Sequence, residues 1–182
     1  SPSRYGIGII SVPVDADLLE PANWTVSAFT HYDRNWPGSP AGGHIALLEG
    51  SLYEAADGKI INLLRMQLTD SWPNHGKACL LEVDPGDPEA APRFHSIIDM
   101  PSGANNRTHV LRDPVGGKYW AIGTMVTNEE TPHMRNVMVL SVSDDGYSWR
   151  LAKVIHDFSE LNPDEVGLQY TSFIFDGDDI LH

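Results

Sequence analysis

The sequence predicts an all-β protein. Helix-type periodicity is scarce, and short runs rich in Val, Ile, Leu, Tyr and Trp alternate with clusters of Gly, Pro, Asn and Asp. The 13 prolines and 16 glycines fall between those runs, where a chain of strands must turn. The apolar fraction, 41%, is enough for a sizeable core and too high for a disordered chain.

Two kinds of hairpin alternate along the chain. The first kind has a strand, an acidic turn and an aromatic residue that opens the returning strand. It occurs at 6–29 ("GIGIISVPVDADLLEPANWTVSAF", with Trp24), at 77–98 ("KACLLEVDPGDPEAAPRFHSII", with Phe94) and at 136–155 ("NVMVLSVSDDGYSWRLAKVI", with Trp149). The second kind turns on Asp or Gly followed by Gly. Its members are 47–66 ("LLEGSLYEAADGKIINLLRM"), 107–126 ("RTHVLRDPVGGKYWAIGTMV") and 168–182 ("LQYTSFIFDGDDILH"), with turn glycines Gly58, Gly117 and Gly177 spaced 59 and 60 residues apart.

One hairpin of each kind makes a four-stranded unit of about 60 residues, the pattern of a β-propeller blade. The whole chain, 1–182, reads as a single propeller domain. Full blades are expected at about 46–99 and 106–156, with half blades at both ends. That is about three blades where propellers use four to eight, so a partial propeller is expected, with open edges available for self-association. Loops 31–44 and 127–134 are expected at the rims.

Charge narrows the partners. With 25 acidic and 12 basic side chains the net charge is −13, which argues against nucleic acid, whose phosphates require a basic surface. The longest apolar runs fall far short of the roughly 20 residues of a membrane helix, so no membrane span is expected, and no signal peptide is visible. Eight of the basic residues are arginine, whose planar fork grips carboxylates in paired hydrogen bonds. The single cysteine, Cys79, lies in an apolar run and reads as buried and structural. The eight histidines form no spaced set with carboxylates on one strand face, and "DGDD" at 176–179 lacks the ligand spacing of a calcium loop. Neither metal nor cofactor is assigned. The sequons at 23–25 and 106–108 read as chance.

The stretch "VSDDGYSW" resembles the Asp-box of sialidase-like propellers, Ser-x-Asp-x-Gly-x-Thr-Trp. Asp144, Gly146, Ser148 and Trp149 fill four of its five places, and Val142 stands where Ser is usual. In that family the aspartate ties up turn amides, the glycine takes a positive φ and the tryptophan packs between blades, so the motif is a structural staple away from the active site. "SVPVDADLLEPANWT", "LLEG", "DGKIINLLR", "DPVGGKYWAI", "RNVMVLSVSDD" and "GLQYTSFIFDGDDI" are similar, in that order, to a family of bacterial exo-sialidase-like, or neuraminidase-like, propeller proteins. Those members usually read Glu-Gly-Asn at Glu49-Gly50-Ser51 and Gly-Phe-Gln-Tyr at Gly167-Leu168-Gln169-Tyr170.

The resemblance implies an exo-acting glycoside hydrolase that releases a terminal, acidic sugar from a glycan, in a secreted or periplasmic protein. Most glycosidases use two carboxylates. Sialidases instead use a tyrosine nucleophile, which the substrate's own carboxylate does not repel, with a glutamate beside it, an arginine cluster and an aspartate acid/base. Tyr170, expected near the start of an innermost strand, reads either as that nucleophile or as a packed strand tyrosine. Since a phenol ordinarily ionises near pH 10, a nucleophilic Tyr170 needs a base. Glu49, between Leu48 and Gly50 in the first innermost strand, is either that base or half of a structural salt bridge.

Arg65, inside an apolar strand, must meet an acceptor and is the main candidate for the carboxylate clamp, with Arg107 and Arg135 as rim contacts and Arg112 flanking the next innermost strand. His109 is a candidate for a sugar hydroxyl, against a structural role, and Gln169 for substrate binding. Asp33 and Asp70 are candidates for the acid/base by location alone. Two other readings stand beside this one: a five-bladed furanosidase-like hydrolase acting through carboxylates, and a non-catalytic propeller that binds glycans or proteins through its rim.

Overall fold

The computed structural model describes residues 5–41, 45–68, 75–103, 106–128, 131, 134–162 and 164–182. The fold is all-β, built from several small antiparallel sheets, none of them closed. The one helical element among the described residues is a 3-10 turn at Pro21–Asn23, and no helix is long and apolar enough to cross a membrane.

Four short strands open the chain: β1 (Gly6–Ile7), β2 (Ile10–Ser11), β3 (Thr25–Val26) and β4 (Thr30–His31). They form two ribbons, β1 with β4 and β2 with β3. Then come β5 (Ile45–Glu54), β6 (Ile60–Leu68), β7 (Lys77–Val83) and β8 (Arg93–Asp99), a four-stranded meander in chain order. A second meander consists of β9 (His109–Arg112), β10 (Tyr119–Thr124), β11 (Val137–Ser143) and β12 (Arg150–Asp157). The hairpin of β13 (Ile174–Asp176) and β14 (Asp179–Leu181) closes the chain. The turn glycines of the second hairpin kind, Gly58, Gly117 and Gly177, have φ of 83°, 71° and 59°.

The sheets pack face to face in chain order. Ile45, Leu47, Leu64, Met66, Cys79 and Leu81 bury one face of the first meander against Ile7, Tyr32 and Trp36. Its other face, through Tyr53, Ile61, Leu63, Ala78 and Leu80, meets Val110, Tyr119 and Ala121 of the second meander. Ile122 and Met138 then meet Phe173, Phe175 and Ile180 of the last hairpin. Cys79 is fully buried, and burial pushes its thiol pKa up to about 12, as its place in an apolar strand suggested.

Strand β5 serves both faces of its sheet because it carries a bulge. Leu47 pairs with Met66 but Gly50 with Leu64, so Leu48 and Glu49 together face the single residue Arg65. Side chains alternate with period 2 along a strand, and one extra residue switches the faces. Ile45 and Leu47 therefore enter the core on one side, and Tyr53 enters the core on the other.

The turn at Ser143–Trp149 fastens the second meander to the first. Tyr53 donates its hydroxyl to the Gly146 carbonyl at 2.6 Å, Tyr147 donates to Asp57 at 2.8 Å, and the Ala56 amide donates to the Asp145 carbonyl at 3.2 Å. The Trp149 indole donates to the Gly146 carbonyl and sits edge-on to Tyr53. Gly146 has φ 85°, and a Cβ there would come within 3.0 Å of the Tyr53 ring, so both conformation and space call for glycine.

The carboxylate that caps this turn is Asp145, which corrects the role expected of Asp144. From position 145 a carboxylate reaches forward two and three residues, accepting from the Tyr147 and Ser148 amides at 2.7 Å each. Asp144 points outward and pairs with Lys118. Burial works against the charge of Asp145, but the Ser148 and Tyr147 amides and the Ser143 hydroxyl outweigh it and lower its pKa to about 2. A depressed carboxylate contributes stability that is complete above its unfolded pKa of about 3.9 and is lost as pH falls through its folded value. Asp145→Ala is expected to cost on the order of 2 kcal/mol at neutral pH, read as a shifted denaturant midpoint. The deficit should shrink between about pH 4 and pH 2, and a deficit that is the same at both ends would refute the capping role.

Candidate functional site

Glu49 and Arg65 meet because the bulge sets the glutamate opposite the arginine. One guanidinium nitrogen, Nη1, donates to both Glu49 oxygens, at 3.3 and 3.2 Å, while Nη2 donates to Gln67 Oε1 at 2.9 Å. Arg65 is only 7% exposed, and the Glu49 side chain is 36% exposed. The buried member is thus the cation, and the partly exposed carboxylate is its counter-ion.

Tyr170 comes to the same carboxylate from the far end of the chain, its hydroxyl donating to Glu49 Oε1 at 3.3 Å. It does not lie in a strand, as the alternation had suggested. It occupies a bend ahead of β13, with φ 53°. That left-handed conformation is rare for a bulky residue and is found where surrounding structure imposes it. The side chain is free to reach Glu49 because little packs on it: Tyr170 is 53% exposed.

Arg135 completes the cluster. It donates to Gln169 Oε1, a neutral partner. Burial lowers its pKa, as does the Arg65 guanidinium, while Tyr170 and Glu49 act in the opposite sense, so all four share one electrostatic neighbourhood. Two guanidiniums face one carboxylate, a local excess of positive charge in a chain of net charge −13. An anionic group placed there is attracted by both arginines.

Among the described residues, the remaining expected site residues make no hydrogen bond or ion pair to Glu49 or Tyr170. The His109 ring accepts the Phe173 amide proton on Nδ1 at 3.1 Å and meets the Phe173 ring edge-on. Burial, followed by the charge of Arg107, lowers the pKa of His109, which suits a ring that must stay unprotonated at Nδ1. Through its bond to the Phe173 amide, His109 acts on the chain leading into β13. Arg112 lies over the Tyr119 ring and donates to the Gly117 carbonyl. Asp33 accepts the Asn35 amide in its own turn, and Asp70 falls outside the described residues.

Two contributors escaped the sequence reading. Gln67 shares a strand face with Arg65, two residues on, and that spacing is the signal that points to it. Asn106, 1% exposed, donates to the Leu168 carbonyl at 3.0 Å, and its one mark in the sequence, the sequon at 106–108, does not point to that role. Beside Glu49, a pocket of about 360 Å³ opens toward the first ribbon between Gly8, Phe29, Leu48 and Asn62. The Asn62 Oδ1 is buried and without a hydrogen-bond partner among the described residues.

Comparison with family models, with curated proteins and with solved structures returns no match.

Proposed function

We propose that this chain carries the catalytic cluster of an exo-acting glycoside hydrolase of sialidase-like type, which releases a terminal acidic sugar from a glycan. The observation that carries the reading is the junction at Glu49, where the Tyr170 hydroxyl and the Arg65 guanidinium meet one carboxylate with Arg135 beside them. Chain segments 121 residues apart supply the tyrosine and the glutamate, so neither one's placement follows from the other's.

In this reaction Tyr170 attacks the anomeric carbon as Glu49 takes the phenolic proton, and the bond to the leaving oxygen breaks. Water then displaces the tyrosine, giving a proton to the group that had protonated the leaving oxygen, and Glu49 returns its proton to the phenolate. The arginines hold the sugar's carboxylate, and Arg65 also orients Glu49. The group that protonates the leaving oxygen is not among the residues of this cluster.

The two four-stranded meanders are the blades of a propeller in this proposal. Their face-to-face order and the approach of β5 to β9, the first strands of the two meanders, support it, because blades stacked around an axis bring their first strands together. Export to the periplasm or beyond the cell rests on the resemblance to glycan-degrading proteins.

The test is sugar release from a panel of reporter glycosides: sialosides, uronides and arabinosides. Release of one acidic sugar is the expected result. Release from arabinosides alone would move the assignment to the furanosidase-like reading. Glycan binding without release would move it to a non-catalytic propeller.

A further inference from the structure

The placement of Tyr170 raises a question that the cluster itself does not answer. Its ring is half exposed and its backbone sits in a conformation that costs roughly 1–2 kcal/mol for a residue with a Cβ. Something else must hold the bend. The Leu168 amide donates to the Arg135 carbonyl at 2.6 Å, and the Gln169 side chain accepts from the Arg135 guanidinium. The Leu168 carbonyl accepts from Asn106 Nδ2 at 3.0 Å. Of the side chains in these bonds, Asn106 is the one enclosed by protein. Its other side-chain atom, Oδ1, accepts the Arg107 amide proton at 2.8 Å.

We propose that Asn106 is the positioning residue of the site, holding the Leu168–Tyr170 bend with its amide nitrogen and the Arg107 backbone with its amide oxygen. The inference rests on the glycosidase reading for its catalytic consequence, and on geometry alone for the tether. An amide suits this place because both bonded groups are backbone, one an acceptor and one a donor. Buried in low dielectric, such a bridge fixes two chain segments that are 62 positions apart. The Asn106 side chain bonds to Leu168 and Arg107 and, among the described residues, makes no hydrogen bond to Glu49 or Tyr170, so it acts through the bend.

Two variants separate its two bonds. Asn106→Asp keeps an acceptor for the Arg107 amide and loses the donor to Leu168, while Asn106→Ala loses both. In native-state hydrogen exchange, both should speed exchange of the Leu168–Tyr170 amides about tenfold, and only the alanine variant should also release the Arg107 amide. On whichever reporter glycoside the wild type cleaves, kcat should fall about tenfold with KM within twofold, since the misplaced group is the nucleophile. If the buried aspartate prevents folding, the alanine variant decides alone. Unchanged exchange at Leu168–Tyr170 would overturn the proposal whatever the activity. Faster exchange with unchanged kcat would also overturn it, leaving Asn106 as a structural tether only. A wild type inactive on every glycoside, with exchange accelerated in the variants, would sustain the tether and defeat the glycosidase reading.

Discussion

Tyr170→Phe should lower turnover of an acidic reporter glycoside by at least about 10³-fold, the scale on which enzymes lose rate when the nucleophile is removed. KM should change little, because the arginines and not the phenol hold the substrate's charge. The fold should not suffer: among the described residues the hydroxyl bonds only to Glu49, and Tyr170 is more than half exposed. Stability within about 0.5 kcal/mol of wild type is therefore expected. A companion variant sharpens the argument. Tyr170→Gly removes the Cβ from a backbone at φ 53° and should stabilise the protein by about 1 kcal/mol while abolishing turnover. Activity retained in Tyr170→Phe would eliminate the tyrosine as nucleophile. Loss of stability in Tyr170→Gly would show that the Tyr170 side chain, and not Asn106, keeps the bend.

The second large effect concerns the fold as much as the chemistry. Glu49→Gln should destabilise the protein by about 3 kcal/mol, because it leaves the Arg65 cation buried with no carboxylate. The cost sits at the low end of such losses, since Gln67 still accepts from Nη2 and Glu49 itself is partly exposed to water. Removing the cation as well should recover most of the loss, so Arg65→Met added to Glu49→Gln is predicted to be more stable than Glu49→Gln alone. Denaturant midpoints of the wild type, the two single variants and the double variant form the cycle that measures this coupling. Additive effects would show that the pair contributes little to the fold and would leave Glu49 as a residue of the site only.

The hairpins could be read from the sequence because their signals are local. A turn glycine and the alternation on either side of it lie within a few residues, so the units around Gly58, Gly117 and Gly177 stood out from spacing alone. The members of the cluster were legible one at a time, and the resemblance implied the meeting of Tyr170 with Glu49, whereas the meeting of Glu49 with Arg65 was not legible. Glu49 faces Arg65 only after a one-residue slip in β5, and no alternation pattern announces such a slip in a strand that is apolar on both faces. Tyr170 was misplaced for a related reason. "LQYTSFIF" alternates as a strand would, yet pairing begins only at Ile174, where the chain finds a partner in β14. The confusion of Asp144 with Asp145 is one of reach. Both are acidic turn residues, and only the three-dimensional turn decides which carboxylate lies within range of the Tyr147 and Ser148 amides.

The extra residue in β5 binds together two properties that are usually free to vary separately. Deleting one residue between Leu47 and Gly50 would restore an unbroken alternation. If β5 kept its early pairing, Tyr53 would rotate out of the layer where it grips Gly146; if it kept its late pairing, Ile45 and Leu47 would rotate out of theirs. In either case the carboxylate would leave its arginine. Length variation at this point is therefore closed to the protein, and substitutions can drift there only within a fixed count of residues. Any lineage that abandoned the carboxylate would still inherit the irregular strand, as the mark of a site it no longer used.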